Sequence, residues 1–117
     1  MIIKQLFLFV FLVLISSCSS AQHYSSKNKK AIKLFELGKS EPSNNIDQRT
    51  HTPNFRGGLV YLNQAIQKDP GFWEAHMVAG EFCETLGDYK TAIDHYKKAL
   101  AINPQRNTSG SSYFFLA

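Results

Sequence analysis

Shifted by 34 residues against itself, the chain brings seven positions into register: Phe55, Gly58, Leu59, Leu62, Ala65, Ile66 and Pro70 fall on Tyr89, Ala92, Ile93, Tyr96, Ala99, Leu100 and Pro104. Six of the seven pairs match an apolar or proline residue with its like, and the Gly58 pair matches in small size. A repeat of this length constrains the fold more than composition does, because each copy is one supersecondary unit that must bury its apolar face against the next copy. Within each copy the residues recur at i, i+3, i+4, i+7, i+10 and i+11, which is one stripe of an α-helix. Pro70 and Pro104 stop the two helices, after the polar residues Asp69 and Asn103. The first of them is the weaker, since Gly57 and Gly58 each cost about 1 kcal/mol relative to alanine in a helix interior.

A further helix is predicted between the two copies, over 72–86, ended by Gly87, with Asp88 placed to cap its successor. Its apolar stripe is Ala75, Val78, Ala79, Phe82, Cys83 and Leu86, and the small residues Ala75, Ala79 and Gly80 allow a second helix to approach closely. The unit is helix, short turn, helix, proline.

From Trp73 onward this unit resembles a tetratricopeptide repeat. Gly80, Gly87-Asp88-Tyr89, Ala92, Tyr96, Ala99 and Pro104 stand at that family's spacings, with His76 and Ala79 departing from the usual large apolar residue and leucine. The resemblance implies an all-α fold: antiparallel helical hairpins of a tetratricopeptide α-solenoid, about two repeats and the start of a third. The full copy spans 71–104. The copy before it, 31–70, is irregular: 31–38 resembles its first helix, and 39–54 reads as a loop insertion rich in Pro, Ser, Asn and Thr, equally compatible with a functional loop and with tolerated drift. Residues 105–117 read as a turn and the opening of another first helix, with Phe114, Phe115 and Leu116 awaiting a neighbour. About three units are usually needed for such an array, so the sequence is expected to be the N-terminal portion of a longer protein, or a truncated one.

Ahead of the repeats lies a different kind of polymer. Of residues 1–17, 13 are hydrophobic and Lys4 is the sole charge; the apolar run 6–15 is too short to span a bilayer, which takes about 20 residues. This is an export signal. Ile15-Ser16-Ser17-Cys18 resembles the bacterial lipobox, which implies lipid on Cys18 and palmitate-type acyl chains holding the mature N-terminus to the membrane, at about 0.8 kcal/mol per buried CH₂. The competing reading is an ordinary signal peptide cut after Ala21. Either way Cys83 stands alone, so no intramolecular disulfide is expected, and it reads as a small buried hydrophobe. Residues 18–30 are expected to be a lipidated cysteine and flexible tether. Lys27, Lys29, Lys30 and Lys33 form a basic cluster, read as a solvated linker although lipid contact is open to it; export argues against nucleic acid.

No catalytic constellation stands out. His23, His51, His76 and His95 are scattered without metal-ligand spacing, and phosphate loops and nucleophile elbows are absent from the sequence. The expectation is a non-enzyme with no cofactor and no metal. Glu74, Met77, Glu81 and Glu84 recur at 3, 4 and 3 residues on the side of the helix away from Ala75, Ala79 and Phe82. By resemblance this face lines the concave peptide groove, which implies an acidic, methionine-softened surface for a basic or amphipathic segment of a protein partner; the plain alternative is a solvated helix face. A leader, tether and irregular repeats in this order are similar to the start of Bacteroidota envelope lipoproteins in which repeats precede a β-propeller-like (PD40) segment and an OmpA-like domain. That implies an outer-membrane, lipid-anchored scaffold facing the periplasm. A second reading is a glycan- or nutrient-binding lipoprotein resembling the start of a SusD-like protein, with Trp73 as its aromatic platform.

Overall fold

Four helices account for most of residues 23–106, the part of the chain described in the computed structural model: α1 (Lys29–Asn44), α2 (Phe55–Lys68), α3 (Trp73–Thr85) and α4 (Tyr89–Ile102). Residues 1–22, which include the expected export signal and Cys18, and the residues from 107 onward lie outside the described residues. Helix α1 pairs with α2 and α3 with α4, while α2 packs on α3, so two antiparallel hairpins stack through their adjoining helices. Among the described residues the sole β-type pairing is an isolated bridge between Ile46 and Pro53. The all-α hairpin architecture expected from the 34-residue period is the observed one.

Side-chain chemistry sets most helix ends. Asn28 accepts from the amides of Lys30 and Ala31, Asn54 from Gly57, and Asp88 from Thr91, each satisfying donors that a first turn leaves free. Gly87 closes α3 with φ +80°, so that the Asp88 amide reaches the Cys83 carbonyl at 2.8 Å and its own amide reaches that of Glu84 at 3.0 Å. The second hairpin is tight because Gly80 carries no side chain: a Cβ there would stand 2.6 Å from the ring of Tyr96, which is completely buried. Gly38 and Gly58 do the same for the first hairpin, where a Cβ on Gly58 would meet the Gly38 carbonyl at 2.7 Å.

Two sequence expectations are corrected here. Helix α1 does not end at Gly38; it runs to Asn44 through a buried Pro42, and the connecting loop is 45–54 instead of 39–54. Glycine and proline suggested a stop on local grounds, but Gly38 marks the crossing with α2. Pro42 sits in the last turn, where its missing N–H removes a single bond, to the Gly38 carbonyl. The loop itself is tied down: Glu41 Oε1 accepts from both Asn45 and Asn54, at 2.7 and 3.1 Å, and the Asp47 carboxylate accepts from the amides of Arg49 and Thr50. Those two amide bonds hold the Asp47 carboxyl below the ordinary aspartate range.

The second correction concerns the tether. Residues 23–28 pack on the helices. The Tyr24 ring lies edge-on to Phe35 at 5.3 Å and tilted against Phe72 at 6.0 Å, and Ser26 is buried. Phe35 and Phe72 in turn meet at 5.0 Å, joining the first helix of one hairpin to the entry of the next. A polar composition concealed one aromatic residue able to pay for ordering its neighbours.

Candidate functional site

Between α1 and α3, the first helices of successive hairpins, runs an open groove of about 440 Å³. Helix α1 supplies Phe35 and Lys39, one turn apart; α3 supplies Trp73, Met77, Val78 and Glu81; Tyr24 and Arg106 close the end nearest the chain entry. The walls are largely aromatic and aliphatic, with charge placed at a few points.

Glu74 is the anchor of the closed end. Helix α3 has no side-chain cap from its own N-terminal neighbour, Phe72. Ser25 provides one from 48 residues away: its hydroxyl accepts from the Trp73 amide at 3.0 Å and donates to Glu74 at 2.5 Å, while its own amide donates to the same carboxylate at 3.1 and 3.2 Å. This is the reciprocal logic of a capping box, assembled across the fold. Arg106 adds an ion pair to Glu74 at 3.0 Å, and its guanidinium lies 4.0 Å from the centre of the Trp73 ring. Burial pushes the Glu74 carboxyl upward, but the hydrogen bonds from Ser25 and its own amide, with the Arg106 charge, outweigh this and hold it below the ordinary range.

The four residues expected to form one open stripe therefore divide. Glu74 is engaged by Ser25 and Arg106. Met77 is 5% exposed and belongs to the core shared with Trp73, Cys83 and Tyr96. Glu84 lies away from the groove lining and accepts the Tyr96 hydroxyl at 2.7 Å. Only Glu81 is an exposed carboxylate in the groove, and partial desolvation together with the nearby Glu84 charge raises its pKa above the ordinary glutamate value. With Lys39 and Arg106 also present, the groove is mixed in charge rather than acidic. Helical spacing drifts around the axis over ten residues, which is why a stripe drawn from 74 to 84 loses its last member to the hairpin interior.

Trp73 is likewise not an open platform. It is 8% exposed, covered by Arg106, and its indole N–H is buried without a hydrogen-bond partner. Cys83 is buried and free, and desolvation followed by the Asp88 charge raises its thiol pKa, as suits a packing residue.

The four histidines are scattered along the sequence, yet the second hairpin joins two of them. His76 Nδ1 and His95 Nδ1 are 3.3 Å apart, and His76 Nε2 is 2.9 Å from the Pro70 carbonyl. A carbonyl only accepts, so Nε2 of His76 carries the proton, its Nδ1 accepts, and Nδ1 of His95 donates. Desolvation lowers both pKa values, with Lys98 adding to the effect on each. The pairing follows from the hairpin register, which a search for spacings along one helix does not test. Among the described residues no group of three or more His, Cys, Asp or Glu is placed to hold a metal ion, and no helix is long and apolar enough to cross a membrane.

Residues 73–106 match the family model for the tetratricopeptide repeat. The match covers α3, α4 and the turn that ends at Arg106, so the residues forming one wall of the groove belong to a recognised repeat of a class that typically mediates protein–protein interaction without catalysis. No curated protein matches the chain.

Proposed function

We propose that this chain is a membrane-anchored cell-envelope lipoprotein whose repeat module holds a segment of another protein in the groove between α1 and α3. The observation that carries the reading is the groove itself. It is open and walled by Tyr24, Phe35, Val78 and the edge of Met77, and it offers Glu81 and Lys39, neither of them ion-paired within the described residues. Apolar walls supply affinity, and two opposite charges on opposite walls set the direction of a bound segment. The partner that fits is an amphipathic stretch with apolar anchors and one cation placed for Glu81, rather than the polybasic segment an all-acidic stripe would demand. Anchoring rests on the apolar leader 6–15 followed by Ile15-Ser16-Ser17-Cys18, and the outer membrane, facing the periplasm, is the site that resemblance favours. As the opening of a longer envelope scaffold, the module would gather partners for domains that follow it. The glycan-binding alternative is less well supported, because Arg106 covers the single tryptophan.

Two experiments test the two halves of the proposal. Exchange of the charges, Glu81→Lys with Lys39→Glu, is expected to abolish capture of the proteins retained from envelope extract by the parent chain, with the helix content unchanged. Identical retention by parent and variant would remove the groove from the account. Cys18→Ser is expected to release the chain from the membrane fraction and to eliminate incorporation of labelled palmitate; persistence of both would refute the anchor.

A further inference from the structure

The two ends of the hairpin stack differ in charge. Because successive helices run in opposite directions, α1 and α3 begin at the end where α2 and α4 finish; there Asn28 donates to the Lys68 carbonyl and Arg106 lies over Trp73. Lys27, Lys29, Lys30 and Lys33 at the start of α1 and Lys68 at the finish of α2 are all exposed, and none of them is ion-paired within the described residues. Lys97, Lys98 and Arg106 lie toward the same end. Lys98 is paired with Asp94 at 2.9 Å and Arg106 with Glu74 at 3.0 Å; apart from these two pairs, the helix halves and connections of this end carry six cations against two carboxylates, Glu36 and Asp69. The opposite end has Lys39, Arg49, Arg56 and Lys90, four cations, against five carboxylates.

Helix physics opposes this arrangement. The first turn of α1 holds no acidic residue, and its lysines face the positive end of the helix dipole, where cations destabilise. Lys68, in the last turn of α2, is favourably placed, but the four lysines around the start of α1 are not, so fold stability does not account for them.

Chain geometry indicates what does. Tyr24 is fixed against Phe35 and Phe72 at this same end. Only six peptide units separate it from Cys18, a reach of at most about 21 Å. A chain held at the membrane by its N-terminal segment therefore presents the basic end to the lipid headgroups. We propose that this end, through Lys27, Lys29, Lys30, Lys33 and Lys68, docks on an anionic lipid surface and so fixes the attitude of the groove to the membrane. The orientation rests on the anchored reading given above; the attraction between the lysines and anionic lipid does not.

The test is sedimentation of the full 117-residue chain with vesicles of phosphatidylcholine alone or with about 30% phosphatidylglycerol, at about 0.1 M and about 0.5 M salt. The parent chain is expected to prefer the anionic vesicles, with the preference collapsing at the higher salt. Each lysine that reaches the surface contributes about fivefold, so replacement of all five by glutamine is expected to reduce the preference by at least about tenfold. The same variant should melt close to the parent, because the gain from removing cations at the start of α1 offsets the loss of Lys68 from the last turn of α2. An undiminished preference in the variant, or none in the parent, overturns the proposal; so does a duplex oligonucleotide that binds more tightly than anionic vesicles at equal phosphate. Failure of the anchored reading has a separate signature: Cys18→Ser leaves membrane association and palmitate labelling unchanged while the preference for anionic vesicles survives.

Discussion

Replacing Ser25 with alanine isolates the contact that turns an apparent tether into part of the fold. The serine hydroxyl is the acceptor for the Trp73 amide and a donor to Glu74, and Phe72 offers no side chain that replaces it. Loss of a helix-capping hydroxyl costs about 1 kcal/mol. Loss of a hydrogen bond to a carboxylate costs about 1.5 kcal/mol, less where water reaches the carboxylate, and the Ser25 amide still serves Glu74 in the variant. The sum is about 2 kcal/mol. For a domain of this size 1 kcal/mol moves the melting temperature by about 4–8 °C, so Ser25→Ala in residues 19–117 should lower it by roughly 10 °C, followed by circular dichroism. Ser25→Thr keeps the hydroxyl and should recover most of the loss. Hydrogen exchange gives the local reading: the Trp73 amide should lose protection in the alanine variant while amides in the middle of α4 change only with global stability. A Ser25→Ala chain that melts within about 2 °C of the parent, with Trp73 still protected, would show that residues 23–28 do not cap α3.

Other parts of the fold give further expected outcomes. Gly80→Val places a branched side chain where even a Cβ stands 2.6 Å from the Tyr96 ring; the hairpin should lose about 3 kcal/mol or fail to fold, read by denaturant titration, whereas Gly71→Val, 3.5 Å from its nearest neighbour, should cost far less. His76 and His95 both have folded pKa values below the ordinary histidine value of about 6.5. The unfolded chain therefore takes up protons first, and stability, full above about pH 6.5, should fall as pH drops through the folded values; the pair His76→Phe with His95→Phe should flatten that slope. Glu74, whose folded pKa is lowered, acts in the same direction further into acid, and Glu74→Gln should remove that part of the acid sensitivity. Melting temperatures measured from about pH 7.5 to about pH 5 check the histidine contribution.

The helices of the second hairpin were legible because their chemistry is local. Gly87 and Asp88 mark a turn by backbone preference, Pro104 follows a C-cap, and Gly80 with Tyr96 stand where small and large residues must interlock. What stayed hidden was non-local. Ser25 is an unremarkable serine until the fold brings it to Trp73, and Tyr24 is a lone aromatic in a polar run until Phe35 and Phe72 meet beneath it. Gly38 and Pro42 read as punctuation, yet the crossing with α2 keeps α1 helical through both. Glu74, Met77 and Glu81 line the groove, but Glu74 is held by Ser25 and Arg106 and Glu84 by Tyr96, partners that lie on other elements. Position along a helix gives the face, but the partners belong to the packing.

The proposal that the groove holds a protein segment is tested most directly by placing a photoactivatable amino acid at Glu81 in the full-length chain and irradiating intact cells, with Val60, an exposed residue of α2 outside the groove lining, as control. The account predicts a discrete crosslinked protein from position 81 that is absent from position 60 and lost when Lys39→Glu is added. Crosslinking to the same proteins from both positions, or none from position 81, would contradict it.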